Sequence, residues 1–237
     1  MQAELSPRLD IFCTNDITIR RETVSRHIGR SILFLSDLHL GAPGSKRLVS
    51  QLIETIASVR ADVILFGGDL LDWIPAWELL EELLSTLPKN IPWGVVSGNH
   101  DRIAGFDRLK NIIKAAGGIW LEDGVLEIQG VTTRLLITGN PQASYSNKDF
   151  NILCLHDPSE IMRAPKDYFK LVLAGHLHGS QCVLQEKNEL LYPGAFFFRW
   201  NGLRFRVGET LLIVSRGLHD SIPIRYNCPR EVILCQI

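Results

Sequence analysis

Five of the seven histidines in this 237-residue chain fall in short motifs that also carry Asp, Asn and Gly. In chain order these are Asp37-Leu38-His39, Gly67-Gly68-Asp69, Gly98-Asn99-His100-Asp101, Leu155-His156-Asp157 and Gly175-His176-Leu177-His178-Gly179. Carboxylate and amide oxygens together with imidazole nitrogens are ligands for divalent cations. The set is larger than one ion uses and about right for two. Such a mixture suits Mn, Fe, Zn or Co better than Ca, and makes Mg alone a poorer match. Asp69 can offer one carboxylate oxygen to each of two ions, and Asn99 supplies a neutral amide oxygen. His100 need not bind metal. Beside a ligand, it can protonate a leaving group or stabilise developing charge, with Asp101 holding its tautomer and orientation.

Each piece alone has an ordinary structural explanation: a solvated loop for Asp-x-His, a turn for Gly-Asp, a core or surface histidine for His156. Their order, and their placement after strands, makes the difference. Ser31–Leu35, Val63–Phe66, Gly94–Ser97, Ile152–Leu155 and Leu171–Ala174 are short apolar runs, and each leads into one motif. Between the first three, apolar residues recur at helical spacing. Leu48, Val49, Leu52, Ile53, Ile56 and Val59 mark a helix over Arg47–Arg60. Leu80, Leu83, Leu84 and Leu87 mark a second after Pro75, and Phe106 to Ala116 reads as a third. Crossovers of this length imply parallel strands, and ligands in such sheets bind beyond the carboxyl ends of the strands. If strand geometry persisted through Asp37 and His39, both side chains would face the same side.

The second half is richer in strands: Val125–Ile128, Arg134–Thr138, a hairpin over Val183–Tyr192, Thr210–Ser215 and Glu231–Ile237. Ile17–Thr23 alternates weakly and could be an edge strand. The expected fold is α/β, a four-layer α-β-β-α sandwich of two mixed sheets in a single domain spanning 1–237. Within it, 1–30 is an N-terminal edge segment, 31–179 the metal-site core, and 180–237 second-sheet strands and tail.

Composition sets the bounds. Apolar residues make up 46% of the chain and charged residues 22%, which suits a globular core and excludes a disordered chain. The net charge of −1 is well mixed in sign, and no Lys/Arg block signals a nucleic-acid partner. Met1–Asp10 is polar without the apolar run of a signal peptide, and no apolar stretch is long enough for a transmembrane segment. Five cysteines without a CxxC pair read as reduced thiols of a cytoplasmic protein. Phe196-Phe197-Phe198-Arg199-Trp200 and Trp73-Ile74-Pro75-Ala76-Trp77 have two readings. They pack in the core, or they form an apolar rim for a lipid chain or for peripheral contact with a membrane surface.

From Ser31 to Gly179, the order Asp-x-His, Gly-Gly-Asp, Gly-Asn-His-Asp, His and Gly-His-x-His resembles the calcineurin-like metallophosphoesterase superfamily. The resemblance implies a two-metal site. Asp37, His39, Asp69 and His178 would hold one ion; Asp69, Asn99, His156 and His176 would hold the other, with Asp69 bridging. Manganese is the expected metal, with Fe, Zn, Co or Mg as alternatives. His100 would be the general acid or transition-state stabiliser. Ser215-Arg216-Gly217-Leu218, Pro223-Ile224-Arg225 and Pro229-Arg230-Glu231-Val232 resemble the closing pattern of a bacterial phosphodiesterase-like branch. Some relatives in this wider region hydrolyse UDP-2,3-diacylglucosamine at its pyrophosphate. His219 stands where glycine is common, and Ser180 where a second glycine is common. These departures bear on substrate fit more than on metal binding. Arg216 and His219 are candidate substrate contacts, each with a structural alternative: stabilising the tail, or a plain loop histidine.

The expected reaction is hydrolysis of a phosphodiester or phosphomonoester. Two cations about 3.5–4 Å apart would bridge a hydroxide that attacks phosphorus in line. The alternative is pyrophosphate hydrolysis on a nucleotide-linked lipid. A non-catalytic scaffold of the same fold is disfavoured, because every ligand and His100 are present.

Overall fold

Ser31–Leu35 is buried at every position and apolar after its first residue, as expected of a strand whose two faces are covered. Its residues alternate between two cores. Leu33 and Leu35 pack among helix residues, whereas Ile32 and Phe34 pack against a second sheet. The same alternation assigns Ile64 and Phe66 to the helix side, and Val63 and Leu65 to the inter-sheet side. The computed structural model describes residues 8–25, 28–131, 133–146 and 149–237. His27 and most of the Met1–Asp10 stretch lie outside the described residues.

The first six-stranded sheet runs Thr18–Thr23, Glu231–Gln236, Ser31–Leu35, Val63–Gly67, Trp93–Val96 and Ile119–Trp120. The last four are mutually parallel. The second runs Arg204–Val207, Thr210–Val214, Leu171–Ala174, Phe150–Cys154, Arg134–Thr138 and Val125–Gln129, with its four central strands parallel and both edges antiparallel. Thr18–Thr23 is an edge strand. Glu231–Gln236 departs from the reading of 180–237 as second-sheet strands and tail. It returns to the first sheet, parallel to Thr18–Thr23 and antiparallel to Ser31–Leu35. Its own alternation explains this: Val232 and Leu234 join the helix-side core, Ile233 and Cys235 the inter-sheet core.

Helices α1 (Ser45–Ser58), α2 (Trp77–Ser85) and α3 (Asn99–Ala115) cover the outer face of the first sheet. Helix α3 begins earlier than the expected Phe106. Residues 99–105 have no apolar stripe, and Gly105, at φ 139°, interrupts the helical path. The start is defined instead by the Asp101 carboxylate, which accepts the Gly98 N–H at 2.9 Å. Among the described residues, the outer face of the second sheet is covered by 3₁₀ turns and loop side chains, including Ile161, Phe169 and Trp200, rather than by α-helices. The connection from residue 155 to 170 holds Pro158 and Pro165, and so cannot form one continuous helix. Among the described residues, no helix is long and apolar enough to cross a membrane. All five cysteines are free thiols.

Candidate metal centre

Parallel strands of both sheets end at one place, and the candidate ligands occupy the turns that follow them. Asp37 and His39 follow Ser31–Leu35, Asp69 follows Val63–Gly67, and Asn99 opens α3. From the second sheet, His156 follows Phe150–Cys154, while His176 and His178 follow Leu171–Ala174. The strand does not persist through Asp37 and His39. Both have left-handed backbones, as do Asp69, His176 and His178, with φ of 57°, 42°, 49°, 74° and 51°. Non-glycine residues seldom adopt this conformation, and clusters of it mark functional sites. The turns are pinned by main-chain hydrogen bonds: the Asp37 N–H donates to Gly68 O at 3.0 Å, and the His39 N–H to Asp69 O at 2.9 Å. Two glycines are required by close approach. A Cβ at Gly98 would sit 1.9 Å from Asp69 Oδ1, and one at Gly175 would sit 2.6 Å from Asp37 Oδ2.

The ligand atoms form two groups. In the first, His178 Nε2 lies 3.4 Å from His39 Nε2 and 3.6 Å from Asp37 Oδ1, and His39 Nε2 lies 3.7 Å from Asp69 Oδ2. In the second, His156 Nε2 lies 3.0 Å from Asn99 Oδ1, 3.0 Å from His176 Nδ1 and 3.2 Å from Asp69 Oδ2. At metal–ligand distances of about 2.1 Å, ligand atoms lie about 3.0 Å apart at right angles and about 3.4 Å apart at the tetrahedral angle. The separations of 3.0 to 3.4 Å fall in that range and those of 3.6 and 3.7 Å lie just above it, so the donor set suits divalent cations. Asp69 is the carboxylate common to both groups.

Electrostatics agree with a site built for cations. Burial opposes ionisation of Asp69, but the His156 hydrogen bond and charge outweigh it and hold the carboxyl down to about 2. Burial likewise disfavours the His156 imidazolium, yet Asp69 and then Asp37 push it up to about 9. His176 moves the other way, lowered by burial and by the neighbouring His156 charge. A proton on His156 must leave before Nε2 can bind metal. Metal titration at pH 7 is thus expected to release about one proton from this group. Apparent affinity should fall about tenfold for each pH unit below 9. Calorimetry in buffers of different ionisation enthalpy measures the release; a pH-independent affinity would contradict it.

His100 lies at the edge of the first group, but Asp101 is not its partner. The Asp101 carboxylate is fully buried and accepts backbone N–H bonds from Leu71 at 2.9 Å and Gly98 at 2.9 Å. Burial, reinforced by Asp69, pushes its carboxyl up to about 6. The position after His100 turns Asp101 inward at the helix start, so it shapes the loop rather than the imidazole. Asp72 stands beside the imidazole instead. Its Oδ1 is 3.0 Å from His100 Nδ1, 3.4 Å from His39 Nδ1, and accepts the Ser221 hydroxyl at 2.7 Å. The signal in the sequence is the second aspartate of Gly68-Asp69-Leu70-Leu71-Asp72, which the motif reading passed over.

The two proposed substrate contacts are placed elsewhere. Arg216 is ion-paired to the buried Glu231, which accepts from its guanidinium and its main-chain N–H. His219 is 1% exposed, so a substrate has no surface of it to touch. Its Nδ1 accepts the Asp220 N–H at 2.8 Å.

Two cavities open onto the ligand groups. One, of about 670 Å³, is polar; it adjoins Asn99, His156 and His176 and carries Arg102 and Arg163. The other, of about 510 Å³, is lined by His39, His100 and His178 together with Phe198 and Ile222. Of the aromatic stretches, Trp200 is buried, whereas Phe196, Phe197, Phe198, Trp73 and Ile74 are exposed. Trp73 meets His100 edge-on at a ring separation of 5.0 Å.

Residues 30–180 match the Metallophos family model, described as calcineurin-like phosphoesterase. The chain is 29% identical over 223 residues to the phosphodiesterase YaeI of Escherichia coli strain K12, covering 87% of this chain and 81% of that protein. It is 26% identical over 239 residues to an uncharacterized metallophosphoesterase, YkuE, of Bacillus subtilis strain 168, covering 92% and 83%. Among solved structures, phosphopantetheinyl hydrolase from Mycobacterium tuberculosis superposes with a TM-score of 0.51 at 12% identity, over 86% of this chain and 97% of that one. At that identity the likeness concerns the fold alone.

Proposed function

This chain belongs to the calcineurin-like phosphoesterase family, and from that premise we propose that it hydrolyses a phosphodiester or phosphomonoester with two divalent ions, manganese first among them. The observation that carries the reading is the run of overlapping ligand groups, Asp37-His39-His178, His39-Asp69-His100 and Asp69-His156-His176, beside an open cavity. Asp37, His39, Asp69 and His178 would hold one ion; Asp69, Asn99, His156 and His176 the other. When bound, such ions offset charge developing on phosphoryl oxygens and make a nucleophile available at neutral pH. The remaining work falls to the chain. Asp72 accepts from His100 Nδ1 and so supports the imidazolium form, in which Nε2 also carries a proton that it can give to the departing oxygen. The left-handed turns and their main-chain hydrogen bonds hold the ligands in place before substrate arrives.

A second reading, pyrophosphate hydrolysis on a nucleotide-linked lipid, is favoured by one observation. Phe198 and Ile222 line the same cavity as His100, and further exposed phenylalanines continue from it. The cavity wall and rim would then take an acyl chain or meet a membrane surface.

Chelator-treated protein is expected to be inactive and to regain turnover as two ions per chain are restored. Bis-p-nitrophenyl phosphate, p-nitrophenyl phosphate and UDP-2,3-diacylglucosamine compared on the same loaded sample separate diester, monoester and pyrophosphate chemistry. A sample holding two ions per chain that cleaved none of the three would overturn the proposal.

A further inference from the structure

The loop after Thr210–Val214 lies beyond the residues that match the family, yet it touches the metal centre at several points. Its main chain clamps the first ligand turn: the Leu218 N–H donates to Ser36 O at 3.1 Å and the His219 N–H to Asp37 O at 2.7 Å. Gly217, with φ 72°, passes so close that a Cβ there would sit 2.9 Å from Asp37 Cβ. Leu218 anchors the loop in the helix-side core. Two side chains that follow turn toward the site. Asp220 Oδ1 lies against His178 Nδ1, and Ser221 donates to Asp72 Oδ1.

Asp220 is itself held rigidly. Arg225 donates to both its oxygens, at 2.6 and 3.0 Å, and is fixed in turn by the carbonyls of Arg216, Gly217 and His219 at 2.7, 3.1 and 3.2 Å. A carboxylate on one imidazole nitrogen fixes the tautomer, so that the other nitrogen presents its lone pair. For His178 that other nitrogen is Nε2, the atom facing His39 Nε2 and Asp37 Oδ1. Ser221 acts one step further away. By fixing Asp72 it steadies both His39 and His100.

We infer that Asp220 and Ser221 are positioning residues of the metal centre: Asp220 aims His178 at one ion, and Ser221, through Asp72, holds His100 in register with that ion. This rests on the reading of His178 and His39 as ligands and of His100 as proton donor. The two residues divide the work, so their variants should fail differently.

The test is a metal titration and steady-state kinetics on full-length wild type, Asp220→Asn, Ser221→Ala and Ser221→Thr, with thermal unfolding of each metal-free protein. Wild type is expected to bind two Mn²⁺ ions tightly. Asp220→Asn should keep one tight ion and weaken the other about 10- to 100-fold. Ser221→Ala should retain both ions but lose about tenfold in kcat toward an alkyl leaving group with KM unchanged. Ser221→Thr, which keeps the hydroxyl, should restore kcat. If Asp220→Asn fails to fold because Arg225 loses part of its clamp, the Ser221 pair decides the inference alone. Folded Asp220→Asn that bound both ions as tightly as wild type would overturn it. So would Ser221→Ala with unchanged kcat. Wild type that bound no metal would overturn the underlying reading, and the inference with it.

Discussion

Replacing Asp69 with asparagine is expected to reduce kcat by on the order of 10³ and to lower bound metal from two ions per chain toward one or none. The Asp69 carboxylate stands between the two ligand groups. Its Oδ2 is 3.7 Å from His39 Nε2 and 3.2 Å from His156 Nε2, while Oδ1 is fixed by the His100 N–H at 2.8 Å. Asparagine keeps the shape but supplies one oxygen without charge. A shared position would then have a neutral amide where a cation pair needs an anion. Three orders of magnitude correspond to about 4 kcal/mol, the scale of electrostatic stabilisation that metal centres supply. Elemental analysis of the purified variant, set against its turnover of bis-p-nitrophenyl phosphate, makes the comparison. Two tightly held ions with near-wild-type kcat would show that Asp69 does not bridge.

Replacing His100 with alanine is expected to lower kcat by about 10²–10⁴ for substrates with alkyl leaving groups, and far less for those releasing p-nitrophenolate. An alkoxide is a poor leaving group and needs a proton as its bond to phosphorus breaks, whereas p-nitrophenolate departs as a stable anion. The geometry suits His100 to supplying that proton. Asp72 engages Nδ1, Trp73 packs against the ring, and the cavity beyond is shared with His39 and His178. Because His100 is not among the proposed ligands, metal content should stay at two ions. Equal losses with both kinds of leaving group would assign His100 to holding the phosphoryl group instead. Loss of metal would place it among the ligands.

Much of this was legible in the residues because strand periodicity and motif spacing are local properties. The alternation in Ser31–Leu35 and Val63–Gly67 already implied two covered faces, and the motifs after them named the side chains that converge. What was misread depends on direction. Asp101 and Asp72 are both aspartates close to His100 in the fold, and sequence adjacency favoured the wrong one. The turn of α3 sends Asp101 into the protein, whereas the left-handed turn at Asp69 brings Asp72 round to the imidazole. Arg216 and His219 looked like substrate contacts because they are chemically capable and lie in a motif-rich tail. His219 is buried, and Arg216 is committed to the Glu231 ion pair. The start of α3 was missed because its first turn is set by a cap and not by an apolar stripe.

The sequence by itself determined the class of chemistry. A mixed carboxylate, amide and imidazole set after parallel strands can do little else but gather divalent cations, and the order of the motifs identifies the family. Tertiary structure decided which atoms meet. Glu231–Gln236 returns to the first sheet and draws the preceding loop across the ends of both sheets. Asp220 is thereby brought against His178, and Ser221 against Asp72, contacts separated by 42 and 149 positions in the chain. No local pattern encodes such contacts, because they arise only when two sheets pack face to face and their loops share one end.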